Sequence, residues 1–276
     1  MLSTRDIQRK IRTIRNIQQI CRAMKTVSSI KLKKAEERIR ASRPYAGALR
    51  EMVSHLVGAE YPHPLLEVRE VQTTGIVAIS ADKGLAGSYN ANLVREALRL
   101  VRKQDSAVKV VPIGRKVNDT FRRAGFDIEL AIPNLGQSAE FRSIAALADQ
   151  IGERYAQGVW DRVELIYTEF GGKVTVQQLL PILPPEGEEA HGDIIYEPSP
   201  AAIIEQILPR YLRTVLFTAV LSAIAAEHAA RVAAMSLATE NADDLISQFT
   251  MDYNKSRQAA ITNELSDIVN SAEALR

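Results

Sequence analysis

The sequence predicts an α/β domain combined with a long antiparallel coiled coil, in which the N- and C-terminal helices form a rod. After Pro209 the chain contains neither proline nor glycine, so nothing in the backbone stops a helix before its end. Residues 1–58 are similarly free of helix breakers apart from Pro44, Gly47 and the closing glycine. Between these arms, apolar strand-like segments alternate with helical ones, which predicts a mostly parallel sheet with flanking helices.

The N-terminal arm, residues 1–58, has the pattern of one helix of a coiled coil. Ser3 and Asp6 resemble a capping box that starts the helix. Pro44 should bend the helix rather than end it, since good helix formers follow. Apolar residues close to a heptad repeat form its predicted seam: Ile7, Ile11, Ile14 and Cys21.

Residues 59–73 read as a linker, and residues 74–198 as the central α/β domain. Short apolar, β-branched runs predict buried strands, and a pair of glycines at 171–172 between two such runs predicts a hairpin. The sheet should therefore finish with an antiparallel edge. The expected strands cover 74–80, 107–113, 126–131, 162–170 and 174–183, and the expected helices 90–103, 115–124 and 138–157, the last capped by Ser138.

The C-terminal arm, residues 199–276, begins with Ser199 as N-cap and Pro200 at the first helical position. Its acidic residues oppose the basic bias of the N-terminal arm, which favours an antiparallel pair. The polar window 250–258 is read either as a solvated stretch or as a contact site for a surrounding partner. Its predicted apolar seam comprises Ala238, Ala242, Leu245 and Phe249, then Ile261, Leu265, Ile268, Ala272 and Leu275.

Composition narrows the classes of function. The net charge of +2 is too small to indicate nucleic acid or anionic lipid as a partner. Cys21 is the only cysteine, which excludes an intrachain disulfide and fits a reducing compartment. The longest uncharged run, 214–226, is shorter than the ~20 apolar residues of a membrane span. We expect a cytoplasmic protein.

The turn at 82–88 follows a strand and precedes a helix, where a doubly wound domain would hold a phosphate. Its spacing lacks the glycine interval and Lys-Ser/Thr of a P-loop, so a structural turn is favoured over a nucleotide-binding enzyme that uses Gly84 to Ser88. His228 is interpreted as a helix-surface residue, and the scattered histidines offer no metal spacing. A coiled-coil nucleic-acid binder with a basic arm is the third alternative. We predict no catalytic, cofactor or metal site.

Several motifs, in order along the whole chain, resemble the gamma subunit of F-type ATP synthase. The most specific are AEHAAR at 226–231, ATENA at 238–242 and YNKSRQAAITNEL at 253–265. Further similarity lies in ASRPY at 41–45, DKGLAGSYN at 82–90 and YEPSP at 196–200. Ser88 and Ser236 depart from the family's usual glycine and lysine.

The resemblance implies a rotor shaft that has no active site of its own and no cofactor. It transmits torque between the membrane c-ring and the catalytic hexamer during proton-driven ATP synthesis. Its implied partners are the alpha, beta and epsilon subunits and the c-ring, without nucleic acid, and its membrane association is peripheral, at the cytoplasmic face of the inner membrane and through the c-ring only. The implied contact residues are Arg231, Arg257, Gln258 and Thr262 for the catalytic subunits, Ile268, Val269, Ala272 and Leu275 for an apolar bearing, and Arg43, Tyr45, Tyr196 and Glu197 for the foot.

Overall fold

Residues 4–57, 62–135, 140–183 and 199–273 are described by the structure, a computed structural model. The chain divides into two compact units. The helix-pair unit comprises Met1–Ser28 and Arg231–Arg276, and the α/β unit comprises Ser29–Ala230. The elements in chain order are α1 (Thr4–Val57), a 3₁₀ helix (Pro64–Leu66), β1 (Thr73–Ile79), α2 (Tyr89–Lys103), β2 (Ala107–Ile113), α3 (Arg115–Arg123), α4 (Phe141–Ala156), β3 (Arg162–Thr168), β4 (Val174–Leu180) and α5 (Pro200–Glu273).

The sheet of the α/β unit has the strand order β2-β1-β3-β4. β1 is parallel to both of its neighbours, so that Val77 stands in register with Val111 and Leu165. β4 returns antiparallel to β3 through the turn that contains Gly171 and Gly172. The predicted mostly parallel sheet with an antiparallel edge is therefore confirmed. All of β1 after Thr73 is buried, as expected for a strand covered on both faces.

The predicted strand at 126–131 is wrong. The segment forms only isolated bridges to β2, between Val110 and Ile128 and between Ile113 and Ile132. Pro112 explains the interruption, because its carbonyl accepts from the backbone N–H of Ile132 and its missing N–H faces the same side of β2. Proline on this edge removes the donor that a continuous ladder needs.

Two other expectations differ in detail. Part of the linker predicted at 59–73 is ordered, since the 3₁₀ helix at Pro64–Leu66 buries Leu65. The helix predicted from 138 begins at Phe141 with Glu140 as its N-cap, and Ser138 lies outside the described residues. Ser199 caps α5 as predicted, with its hydroxyl oxygen accepting from the Ala202 N–H at 3.3 Å.

Both long helices contribute to the core of the α/β unit. One face of the sheet packs against α4 and against apolar residues of α1 and α5, among them Leu56 and Leu212. The other face packs against α2 and α3. The compact unit is therefore larger than the predicted domain at 74–198. By length and hydropathy α5 could also cross a membrane, but half of its most apolar stretch is buried, which the core accounts for.

In the helix-pair unit, α1 and α5 run antiparallel. The Lys10 ammonium lies 5.4 Å from the ring centre of Phe249, and the Gln18 amide donates to the Asp243 carboxylate. Later residues of α1 therefore meet earlier residues of α5. The α1 seam is confirmed at Ile7, Ile11 and Cys21, all buried, while Ile14 is partly buried.

The opposite charge bias of the two helices is seen in an ion pair between them. It joins Arg22 to Asp243 at 3.5 Å, and both side chains are more than half exposed. Such an exposed pair contributes at most ~1 kcal/mol. This pair therefore adds little to the stabilisation by the apolar seam.

The seam of α5 agrees with the predicted one at Ala242 and Phe249 but differs at Leu245 and beyond Tyr253. Met235 and Ala242 are buried and Ile246, Phe249 and Tyr253 are partly buried, in alternating steps of three or four residues, or of seven where one position is skipped. Leu245, predicted in the seam, is largely exposed, as are Ile261, Leu265 and Ile268. One residue of offset rotates a side chain by ~100° about a helix, which places Ile246 and not Leu245 in the seam. Every described side chain of α5 from Arg257 onward is exposed, so the seam ends before that residue.

Candidate partner-binding surfaces

The distal part of α5, beyond its seam, presents a polar patch at Arg257, Gln258 and Thr262. All three are exposed. The Thr262 hydroxyl donates to the Gln258 carbonyl at 2.9 Å, which places these two residues one turn apart on the same face. Arg257 makes no ion pair within the described part of the chain. Its guanidinium is available for a carboxylate or backbone carbonyl of another protein.

An apolar stripe lies beside this patch. Ile261, Leu265 and Ile268 are about half exposed or more and recur at steps of four and three, so they share one face. In the antiparallel pairing described above, Lys10 lies beside Phe249, so the described part of α1, which starts at Thr4, does not extend as far as Ile261. A single exposed leucine is ordinary, but three exposed apolar residues on one face make this stripe a candidate interaction surface.

The predicted bearing residues are only partly visible. Ile268 belongs to the apolar stripe and is exposed. Val269 and Ala272 lie on α5, but their side chains are outside the described part, and Leu275 lies beyond the described residues altogether. Of the four predicted bearing residues, the structure thus describes only the side chain of Ile268.

Arg231 differs from the other predicted contact residues because it is only 6% exposed. The Arg231 side chain is therefore not on the surface of this chain, and its contact with a catalytic subunit stays a prediction. His228, predicted on the helix surface, is also buried, at 8% exposed. The assignment of His228 to the helix surface was wrong because α5 is packed on more of its circumference than an amphipathic helix usually is.

A second apolar stripe, on α1, was missed by the sequence analysis. Ile17, Ile20 and Val27 are each at least half exposed, and Met24 between them is partly exposed. Their spacing follows the heptad but in a different phase from Ile7 and Ile11. Apolar residues that repeat outside the seam phase are the signal that could have revealed this surface.

The residues predicted for the foot do not form one surface within the described chain. Arg43 and Tyr45 are both exposed on α1, but two residues of separation point their side chains ~200° apart. Arg43 faces the strands β3 and β4, and Tyr45 does not. Tyr196 and Glu197 lie outside the described residues.

The turn at 82–88 has a structural role. The Asp82 carboxylate accepts from the backbone N–H groups of Arg115 and Leu135, at 3.0 and 3.1 Å. It thereby joins the turn after β1 to the start of α3. Leu85 and Gly87 adopt positive φ of 60° and 56°, which fixes the tight path of the turn.

The crevice where an open α/β sheet holds a nucleotide is filled by the protein itself. Such ligands bind beyond the carboxyl ends of the strands at the point where strand order reverses, here between β1 and β3. Ala81, Ala86 and Tyr89 pack there against Ala226 of α5, and the Tyr89 hydroxyl donates to the Ala223 carbonyl at 3.1 Å. The described part of the chain also contains no cluster of side chains suited to a metal.

Comparison with known proteins gives one consistent family. A family model described as ATP synthase matches residues 3–275. The ATP synthase gamma chain of Moorella thermoacetica is 43% identical over 282 aligned positions that cover 100% of both chains. The gamma chain of Legionella pneumophila is 39% identical, also with full coverage of both chains.

Solved structures agree in fold. A chain of the Tetrahymena thermophila mitochondrial ATP synthase central stalk and c-ring is 28% identical, with a TM-score of 0.62, covering 79% of this chain and 99% of that one. A chain of the Euglena gracilis mitochondrial ATP synthase is 19% identical, with a TM-score of 0.71, covering 99% and 94%. The second likeness bears on the fold alone. On the family match and the full-length identity, the chain belongs to the ATP synthase gamma chain family.

Proposed function

We propose that this chain transmits torque as the rotating shaft of a rotary ATP synthase, between a membrane c-ring and a catalytic hexamer of alpha and beta subunits. Membership of the gamma chain family makes it the central-stalk subunit. The observation that carries the mechanical role is the distal part of α5, where the apolar stripe leaves the seam phase and stays exposed. A shaft needs a surface of this kind, because its contacts must lie with surrounding subunits.

The distal surface supports two kinds of contact. Arg257, Gln258 and Thr262 supply polar groups for the catalytic subunits, where charged and polar pairs determine register more than affinity. Ile268, with Val269, Ala272 and Leu275, belongs to an apolar bearing that lets the end of the helix turn without fixed hydrogen bonds. The exposed stripe Ile17, Ile20 and Val27 on α1 is a further contact face in this proposal.

The exposed face on distal α5 combines polar groups with an apolar stripe, whereas the exposed face on α1, at Ile17, Ile20 and Val27, is apolar. A rotating shaft of this kind presents a different face to each beta subunit in turn. A subunit that contacts each face with a different free energy is shifted between its conformations, and its nucleotide affinity follows. Proton flow through the c-ring supplies the work in this proposal.

The foot of the shaft, in this proposal, contacts the epsilon subunit and the c-ring through Arg43, Tyr45, Tyr196 and Glu197. The chain is then a peripheral membrane protein at the cytoplasmic face of the inner membrane, held there only through the c-ring. It has no catalytic activity of its own. The filled crevice beside Tyr89 supports this, since an enzyme using the Gly84 to Ser88 turn would need that space.

The contact proposal is tested by Arg257→Ala with Gln258→Ala in the assembled ATP synthase. Both residues are exposed and outside the seam, so the chain should fold and assemble normally. Coupled ATP turnover should fall at least about fivefold, because truncating an important interface residue costs more than about 1 kcal/mol of interaction free energy. The matched control replaces exposed residues of the same types, Arg12→Ala with Gln248→Ala, and should leave turnover nearly unchanged.

Unaltered turnover and proton pumping in the Arg257/Gln258 variant would overturn the assignment of these contacts. A separate titration addresses the enzyme alternative. The isolated full chain is titrated with ATP and ADP by calorimetry, and the shaft proposal expects no tight binding. A stoichiometric micromolar nucleotide site on the isolated chain would instead favour the enzyme.

A further inference from the structure

A groove of about 610 Å³ lies in the α/β unit between α1, α5 and the β3–β4 hairpin. Its α1 wall is formed by Ile39, Arg43, Ala46 and Arg50, which recur at steps of four and three and so share one face. Eleven residues of helix span ~16 Å, and an extended chain covers that distance in about five residues. The groove therefore has the length of a short extended segment.

Part of the groove's lining is apolar, and we call this part its base. Its residues are Leu212, Val215 and Ala219 of α5 and Leu179 and Ile182 of the hairpin arm. They offer apolar surface to a ligand in the groove. A small hydrated anion would leave that surface in contact with water, so a ligand with apolar groups fits better.

Four of the polar side chains that line the groove, two arginines and two tyrosines, lack partners within the described residues. Arg43 and Arg50 form no ion pair there. The hydroxyls of Tyr167 and Tyr211 form no hydrogen bond there, although both side chains are partly buried. Burial raises the pKa of both tyrosines, so each hydroxyl keeps its proton and remains a donor at neutral pH. Two cations and two donors call for a ligand rich in carboxylates.

The groove has opposite charges at its two ends. Phe170 donates its backbone N–H to the Ser222 hydroxyl at 2.9 Å, which places the neighbouring Glu169 at the Ser222 end. Arg50 lies close enough to Tyr211 to lower the pKa of its hydroxyl against the effect of burial. Ser222 and Tyr211 are eleven residues apart on α5, so Glu169 and Arg50 are at opposite ends.

The edge of the sheet borders this groove. β4 is the terminal strand and pairs only with β3 among the described strands. Gln177, Gln178 and Leu179, three consecutive residues of β4, all line the groove. Since successive side chains of a strand point to opposite faces, the groove reaches the edge of β4 and not one face alone. An unpaired edge is a template for an added strand.

We propose that this groove binds an extended acidic segment of a partner polypeptide, which pairs along β4 and places its carboxylates against Arg43 and Arg50. Its apolar side chains cover the base, and its acidic end lies at Arg50. A second copy of this chain pairing through β4 fits poorly, because Val174–Leu180 contains no acidic residue to meet the arginines. The inference goes beyond the proposed torque transmission and rests on the groove alone.

The test uses the full chain and two fluorescent nine-residue peptides, one alternating valine with glutamate and the other valine with lysine. Fluorescence polarisation should show micromolar binding of the glutamate peptide and at least about tenfold weaker binding of the lysine peptide. Hydrogen exchange of the β4 amides, Val174–Leu180, should slow only with the glutamate peptide. That second measurement distinguishes strand addition from diffuse charge attraction.

Substitutions locate the site. Arg43→Glu and Arg50→Glu should each weaken binding of the glutamate peptide about tenfold. Arg38→Glu is the matched control, an exposed arginine on α1 that does not line the groove, and should change it less than about twofold. Tyr211→Phe, which removes only a hydroxyl, should weaken binding about threefold.

Equal binding of both peptides, an unchanged affinity in Arg50→Glu, or absent protection of β4 overturns the proposal. So does a wild-type dimer in sedimentation that Arg50→Glu dissociates, because the groove is then an interface between copies. Circular dichroism of each variant separates lost binding from lost folding. These measurements need no ATP synthase, so their failure leaves the torque proposal untouched, and the reverse also holds.

Discussion

The α/β unit and the helix-pair unit stabilise their helices in different ways. In the α/β unit, both long helices pack into a core that also contains the sheet and fully buried Trp160 and Tyr155. In the helix-pair unit, α1 and α5 bury only the seam, and apolar stripes remain exposed on each helix. The difference shows that one helix can be a core element along part of its length and keep apolar side chains exposed along another. The following predictions test that contrast.

The largest contrast should appear between two leucines of the same chemistry. Leu165→Ala empties a fully buried position at the centre of the sheet and should lower the free energy of unfolding by about 4 kcal/mol. Leu237→Ala, in the helix-pair unit, removes a side chain that is 60% exposed and should change it by less than about 0.5 kcal/mol. Urea unfolding of both variants measures the difference. Equal losses would show that the helix-pair unit buries more than its seam.

Backbone packing in the α/β unit should give the next effect. A β-carbon at Gly114, where φ is 94°, would lie 2.1 Å from the Ser80 carbonyl oxygen, so Gly114→Ala should cost about 3 kcal/mol. Gly125 also has positive φ, at 75°, but has open space around it, so Gly125→Ala should cost about 1 kcal/mol. Thermal unfolding compares them. A similar cost at both sites would attribute the whole effect to φ.

Polar pairing in the helix-pair unit should give a smaller effect. Asp243→Ala leaves the buried Gln18 amide without its acceptor and should destabilise the helix pair by about 1 kcal/mol. Asp244→Ala, the adjacent exposed carboxylate, is the control and should have almost no effect. Hydrogen exchange of α1 amides reports the local opening. If both variants behave alike, the interhelical hydrogen bond contributes nothing measurable.

The smallest effect should come from pH. His63 caps the 3₁₀ helix, with Nδ1 accepting from the Leu65 N–H at 3.1 Å, and burial lowers the pKa of His63 below its ordinary 6.5 while Glu205 opposes this shift. A lowered pKa means that the folded state binds fewer protons than the unfolded one. Stability from this group is therefore complete above pH 6.5 and declines as the pH falls through the depressed pKa.

The control for this pH effect is His63→Asn, which keeps a side-chain acceptor at the cap but does not titrate. Urea midpoints of the two proteins should run parallel above pH 6.5, and the wild-type midpoint should fall faster below it. Parallel curves throughout would mean that the cap makes no contribution through protonation.

The sequence predicted the α/β unit well because its strands are short, apolar and separated by clear turns. β2 was placed with its observed bounds at Ala107–Ile113, and the hairpin around Gly171 was correct. The failure at 126–131 arose from Pro112, whose effect depends on which side of β2 its missing N–H faces. The side of β2 that faces a neighbouring strand is determined by the assembled sheet, and the sequence of β2 alone does not reveal it.

The surfaces were harder to predict. The heptad repeat of apolar residues on α5 changes phase near Tyr253. The prediction followed the apolar residues alone and therefore continued the seam through Ile261, which is exposed. His228 was read as a helix-surface residue because polar side chains usually are exposed, whereas the Arg231 contact came from the family resemblance. The groove beside β4 was not foreseen, because its walls come from segments that are distant in the chain.

The packing of Tyr89 and Ala226 into the crevice has a consequence for the protein's surroundings. In this chain, Tyr89 and the α5 residue Ala226 pack where a fold of this kind can hold a nucleotide. Ligands that do not bind a folded state leave its melting temperature where it was. We therefore expect the melting temperature of the isolated chain to be the same with and without added ATP or ADP.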